Sequence, residues 1–141
     1  MFRVNRRTDY AIRVMLALAK QPYGWRMSTK EIQEAMLIPR PFLQRIIADL
    51  SKAELILTYP GPHGGLQLSR ESDDINLRHI WEAIEGPLVI SDCLEAPEDC
   101  PLNEGCPVNA QWQSMQSMLV SELEEKTLNH LAEKAFQISI A

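Results

Sequence analysis

Apolar positions recur at helical spacing through most of the chain and give way to strand-like patterning in a single region, residues 55–68. Ile12, Met15, Leu16 and Ala19 mark one face of a helix that Thr8 can cap and that runs to about Lys20. Asp9 falls in its first turn, where the helix dipole favours a carboxylate. Gln21-Pro22-Tyr23-Gly24 ends that helix. Ser28-Thr29-Lys30-Glu31 reads as a capping box opening a short helix to about Met36. Pro39 or Pro41 then suits the first turn of a helix reaching Ala53. In it Leu43, Ile46, Ile47 and Leu50 form the buried stripe, and Arg40, Gln44, Arg45, Ala48 and Lys52 fall opposite.

Two short helices joined by a tight turn, the second with an outward basic and amide face, make a helix-turn-helix. The adjoining residues extend the motif. Leu55-Ile56-Leu57-Thr58-Tyr59 is strand-like, Gly61-Pro62-His63-Gly64-Gly65 is a turn, and Leu66-Gln67-Leu68 alternates as a second strand. A hairpin directly after the second helix is a wing. Asn76 can cap a further helix through Glu85, with Leu77, Ile80, Trp81 and Ile84 as its stripe, stopped by Gly86-Pro87. Pro107 opens a long helix to about Glu125 in which Val108, Trp112, Met115, Leu119 and Leu123 recur. That stripe serves either packing on the core or a dimer interface. Thr127 caps a final helix over 128–135, leaving Gln137–Ala141 as a tail. The expected fold is mainly α with a small β-wing: a winged helix-turn-helix plus a long C-terminal dimerisation helix. The division expected is a DNA-binding domain over 1–86, a cysteine loop over 87–107, and a dimerisation part over 108–141.

The net charge of −5 conceals a split. Residues 1–70 carry 11 Lys/Arg against 5 Asp/Glu, and residues 71–141 carry 3 against 14. A basic half suits a polyanion, and the acidic half limits non-specific sticking. With 141 residues, 45% of them hydrophobic, the chain can bury a proper core. The first residues, MFRVNRRTDY, are basic but lead into no apolar signal region, and no apolar run approaches the roughly 20 residues of a membrane span. A cytoplasmic protein without membrane contact is expected. On the second helix of the pair, Arg40 and Gln44 lie nearest the end that enters the major groove and are expected to contact bases, with Arg45 and Lys52 on phosphates. Arg6, Arg7 and Ser28 are further phosphate candidates, and His63 at the wing tip suits either a minor groove or solvent.

All three cysteines, Cys93, Cys100 and Cys106, fall in one acidic segment rich in Pro, Gly and Asn, at spacing C-x6-C-x5-C. Such a segment suits an exposed loop able to turn three sulfurs toward a common point. An odd count cannot pair completely within one chain, which argues against a disulfide framework. Thiolates ligate iron–sulfur clusters and zinc, which normally take four donors, so three imply a fourth from elsewhere. Structural zinc sites commonly offer C-x2–4-C knuckles, narrower than this spacing, which favours iron–sulfur over zinc.

Thr8-Asp9-Tyr10-Ala11-Ile12-Arg13, the wing Gly61-Pro62-His63-Gly64-Gly65-Leu66-Gln67-Leu68-Ser69-Arg70, and Ile84-Glu85-Gly86-Pro87-Leu88 followed by Asp92-Cys93 and the other cysteines together resemble the IscR/NsrR/RirA family of iron–sulfur transcription regulators. The resemblance implies a homodimer that binds palindromic promoter DNA, acting as a repressor, under control of a cluster sensing nitric oxide, iron or redox state. It is nearest the NsrR branch, where an Asp matching Asp9, supplied by the other subunit, completes a 4Fe–4S cluster. In the IscR branch a histidine three residues past the last cysteine completes a 2Fe–2S cluster, and here Asn109 stands there. The six residues between Cys93 and Cys100, where five is commoner in the family, leave the 2Fe–2S form open beside the favoured 4Fe–4S. Alternatives are a zinc- or thiol-based winged-helix regulator and an electron-transfer or cluster-carrier protein, which would leave the basic half unexplained. No nucleophile–base pair or phosphate loop points to an enzyme.

Overall fold

The structure, a computed structural model, describes residues 3–137; residues 138–141 of the expected tail lie outside them. The first helix, α1, spans Arg6–Ala19. Its cap is Asn5, whose side chain accepts from the Arg7 amide at 2.8 Å. Thr8, expected as the cap, instead lies inside the first turn and is wholly buried. Its place is decided by packing. The buried face of α1 is also broader than expected: Tyr10, Ala11, Val14, Met15, Ala17 and Leu18 are buried, while Ile12, Leu16 and Ala19 pack half-buried at its margin.

Helix α2 spans Thr29–Met36 and starts where expected, with Ser28 Oγ accepting from the Glu31 amide at 3.1 Å. It ends at Leu37, which adopts a left-handed conformation at φ 54° with its side chain 81% exposed. A left-handed leucine costs roughly 1–2 kcal/mol, a strain held here by the turn into α3 (Arg40–Lys52) and by burial of Ile38. The wing is β1 (Ile56–Tyr59) antiparallel to β2 (Gly65–Leu68), with Ile56 opposite Leu68 and Tyr59 opposite Gly65. Helices α1, α2 and α3 and both strands share one core that also takes in Ile75, Ile80 and Leu128.

Helix α4 (Leu77–Glu85) begins at a reciprocal capping box. Asn76 Oδ1 accepts from the His79 amide at 3.0 Å, and His79 Nδ1 accepts from the Asn76 amide at 3.1 Å. After a short helix α5 (Asp92–Glu95), α6 runs Pro107–Glu125 and α7 Leu128–Gln137. Thr127 caps α7 as expected, its Oγ1 accepting from the His130 amide at 3.1 Å. The α6–α7 junction is tied to the start of α4, because Leu77 donates to the Lys126 carbonyl at 3.0 Å and Leu128 to the Ile75 carbonyl at 2.7 Å. Helix α7 thereby returns to α1 and buries Leu128, Ala132 and Ala135. The stripe expected on α6 behaves differently. Val108, Met115 and Met118 are exposed, Trp112, Leu119 and Leu123 are half-buried, and the residue it buries among the described ones is Asn109.

Burial, with Arg70 nearby, holds His79 below its ordinary value near 6.5. The unfolded chain therefore takes the proton first, so this contribution to stability is whole above about pH 6.5 and is lost as pH falls through the lowered folded value. Protonation of Nδ1 would also remove the acceptor of the Asn76 amide. Thermal unfolding followed by circular dichroism should show a midpoint that falls on acidification below neutrality, and His79→Gln should flatten that fall. Asn76→Ala should cost about 1 kcal/mol at neutral pH.

Candidate nucleic-acid interface and cysteine loop

Helix α3 divides sharply. Leu43, Ile46 and Leu50 are fully buried, while Arg40, Gln44, Arg45 and Lys52 are exposed. Pro39 sits at its N-cap and Pro41 in its first turn, where no amide partner is needed. Two contacts fix the helix on α1. Arg7 Nη2 donates to Asp49 Oδ2 at 2.7 Å, and the Tyr10 and Phe42 rings meet edge to face with centroids 5.3 Å apart. Arg7 is thus engaged within the fold, and with Pro41, Phe42 and Arg45 it lines a small cleft of about 210 Å³. Ser28 spends its hydroxyl as acceptor at the α2 cap. Arg6 is exposed near the start of α1, and His63 is exposed in the β1–β2 turn.

The wing is joined to the segment before α2 by a pairing the sequence did not advertise. Met27 donates to the Leu66 carbonyl at 2.9 Å and Leu66 to the Met27 carbonyl at 2.8 Å. Gly65, at φ +131°, permits this approach, since a Cβ there would lie 2.6 Å from the Met27 carbonyl oxygen. Just before Met27, the Arg26 guanidinium lies over the Tyr59 ring at 3.5 Å from its centroid. Tyr59 also lines a cleft of about 590 Å³ between the start of α2, at Ser28, Thr29 and Lys30, and the wing, at Thr58 and Gly61. From sequence, Arg26 has no assigned role, and Lys30 and Tyr59 have places only in a capping box and a wing strand. Arg26 and Tyr59 lie 33 positions apart with no periodicity linking them.

The cysteine segment is folded into short pieces. Cys93 lies in α5, Cys100 follows a one-turn 3-10 helix over Pro97–Asp99, and Cys106 is the N-cap of α6. All three thiols are free and half-buried, with Cys93 Sγ 3.1 Å from Ser91 Oγ. Asp9 is exposed on α1 and pairs with Arg13 one turn on, at 2.9 Å. It shares a polar cleft with Arg3, Asn5, Arg6 and Glu85. Among the described residues, no group of three or more His, Cys, Asp or Glu side chains is gathered as for a metal ion. The turns that hold the segment set the three sulfurs on separate elements, so the common point expected of the loop is not formed within one chain. The donor set itself suits an iron–sulfur or zinc group: three soft thiols, committed to no disulfide and accessible. Asn109 is buried, and its Oδ1 accepts from Gln113 Nε2 at 2.8 Å, which engages the position as an amide pair rather than a ligand.

Downstream of the loop, α6 carries an apolar hollow of about 540 Å³ lined by Ile90, Trp112, Met115, Met118 and Leu119. Arg78 of α4, paired with Glu82 at 2.9 Å and with Glu124, pins α6 to the winged module.

A family described as "Rrf2: Iron-dependent Transcriptional regulator" matches residues 4–134. The chain is 28% identical over 125 residues to the HTH-type transcriptional regulator NsrR of Oceanobacillus iheyensis, an alignment covering 88% of this chain and 85% of that one. Among solved structures it is similar to CymR (YrzC), the global cysteine regulator of B. subtilis, with a TM-score of 0.79 at 25% identity, over 95% of this chain and 98% of that one. It is likewise similar to T. potens IscR, with a TM-score of 0.78 at 26% identity, over 99% and 93%.

Half-buried thiols react in the native state, whereas core thiols do not. Native metal-free protein treated with iodoacetamide should therefore gain three adducts by intact mass. Protection of any one cysteine without denaturant would contradict the exposure described here.

Proposed function

The chain belongs to the Rrf2 family of iron-dependent transcriptional regulators, and on that premise we propose that it is a homodimeric repressor of palindromic promoter DNA governed by an iron–sulfur cluster. Its relatives are transcriptional regulators, not enzymes. The observation that carries the reading is the two-sided α3: Leu43, Ile46 and Leu50 are inside the core, with Ile47, expected in the same stripe, half-buried at its margin, while Arg40, Gln44, Arg45 and Lys52 stand outside. In this reading Arg40 and Gln44 contact base edges in the major groove, and Arg45 and Lys52 hold phosphates. Arg6 adds positive potential near the backbone, and Arg7, its charge paired with Asp49, holds α3 in place beside Arg45; Ser28 presents the α2 cap, and His63 the wing tip. Residues 1–86 form the DNA-binding domain, 87–107 the cluster loop, and 108–141 the dimerisation part, whose last helix packs back on α1. The protein works in the cytoplasm, where thiols stay reduced.

Cys93, Cys100 and Cys106 would hold the cluster, with Asp9 of a second subunit as fourth ligand, and 4Fe–4S is favoured over 2Fe–2S. The cluster would supply a redox- and nitric-oxide-reactive centre, and the Asp9 carboxylate, a hard donor, would be the most weakly held of its four protein ligands. The consequences for this chain's own residues are three. The loop must close to gather its thiols, Asp9 must leave Arg13, and Cys106 transmits the change because it is the cap of α6. Two α6 helices packed through Met115, Met118 and Leu119 would pass that change to the spacing of the recognition helices, to which operator affinity is sensitive. A second reading, a thiol- or zinc-based regulator of the same fold, is favoured by the free, accessible thiols and by the likeness to a regulator named for cysteine.

Selection of bound duplexes from a randomised library would define an operator. Against it, Arg40→Ala should cost about 1–3 kcal/mol and relax the preference at one base position, while Lys52→Ala should weaken operator and random duplex alike. An equal loss on both duplexes for Arg40→Ala would contradict base readout.

A further inference from the structure

The cleft between the start of α2 and the wing accounts for chemistry that the recognition helix does not use. One wall carries Ser28, Thr29 and Lys30, and the other carries Thr58, Tyr59 and Gly61. Tyr59 bears the Arg26 guanidinium across its ring at 3.5 Å, and both residues keep solvent exposure. A guanidinium stacked on an aromatic face has its plane fixed while its in-plane N–H groups stay available, the arrangement that suits bidentate contact with a phosphate. The backbone around it is rigid. Met27 is paired to Leu66 on both of its hydrogen bonds, and Gly65 lies too close to Met27 to admit a side chain. Arg26 is therefore attached to the wing, and Lys30 to the first turn of α2.

We propose that this cleft and its edge form a phosphate-binding seat for the DNA strand beside the recognition helix, with Lys30 on its wall and Arg26, stacked on the Tyr59 ring that lines it, as the two cations. The inference rests on the DNA-binding reading and adds residues to it. Arg26 acts here as a sequence-independent clamp that sets the wing on the backbone. Two features favour a nucleic-acid strand over other occupants. The walls present hydroxyls and the Lys30 ammonium with no carboxylate among the lining residues, and the cleft is bounded by the wing and the first helix of the helix-turn-helix, the elements that flank a groove-bound recognition helix.

The test needs no operator. Fluorescence anisotropy with a 30-base-pair duplex of arbitrary sequence, across a series of KCl concentrations, reads the number of phosphate contacts from the slope of log K against log salt. Each lost contact should reduce the slope by about 0.9 per subunit, and the affinity near 0.1 M salt by roughly eightfold. Arg26→Ala and Lys30→Gln should each show this loss. Tyr59→Phe, which keeps the ring, should match the wild type, and Tyr59→Ala should approach Arg26→Ala. Should Arg26→Ala melt early, Arg26→Gln and Lys30→Gln decide. Slopes unchanged in both overturn the seat while leaving DNA binding in place. A wild-type protein that fails to bind any duplex would instead remove the reading on which the seat rests.

Discussion

Burial of α1 over a wide arc of its surface is the constraint on which the rest of the structure depends. Helices α2, α3, α4 and α7 and strand β2 all pack against it. One helix can serve so many neighbours because its sequence supplies two adjoining apolar faces, one through Ala11, Met15 and Leu18 and the other through Tyr10, Val14 and Ala17. The small Ala11 and Ala17 allow close approach, and the larger side chains fill the gaps between layers. Truncating Val14 or Met15, both without solvent exposure, would leave a void shared by several elements.

That arrangement couples parts of the chain that lie far apart in sequence. Through Arg7–Asp49 and the Tyr10–Phe42 contact, α1 fixes the recognition helix. Through Leu128 and the pairing of residues 75–77 with 126–128, the same core fixes the base of α6, the helix that leaves the cysteine loop. On its exposed side α1 carries Asp9. In the proposed reading, where Asp9 of a second subunit meets the cysteine loop, a change at the loop has two routes to the recognition helices, through α6 and through α1, each a packed element rather than a flexible tether. The exposed Met115 and Met118 beside half-buried Trp112 and Leu119 form an apolar surface of the kind a second subunit covers.

Local chemistry was legible in the sequence, and long-range pairing was not. Ser28, Asn76 and Thr127 cap their helices as their residue types imply, because a cap is decided within three or four positions. Thr8 failed the same argument because Asn5 competes for the role and the core claims Thr8, a choice periodicity does not encode. The wing was readable from its glycines and alternation. Its third partner, Met27, was not, since a single-residue bridge across 39 positions leaves no pattern. The outward face of α3 followed from helical spacing, whereas Arg7–Asp49 and Arg26–Tyr59 needed the fold. The clustering of the cysteines was plain from sequence. Their separation onto α5, the 3-10 turn and the cap of α6 was not, because short helices form there between the turn residues.

The account turns on whether the cysteine loop governs DNA binding through iron and sulfide. The most direct measurement is the operator affinity of one anaerobically purified sample before and after reaction with nitric oxide, or removal of its metal by a chelator, with iron, zinc and acid-labile sulfide assayed and the visible spectrum recorded alongside. The account predicts a coloured protein containing iron and sulfide whose operator affinity changes severalfold or more when the colour is lost. A colourless protein that holds zinc or no metal after anaerobic reconstitution, or equal affinity in the two states, would contradict it.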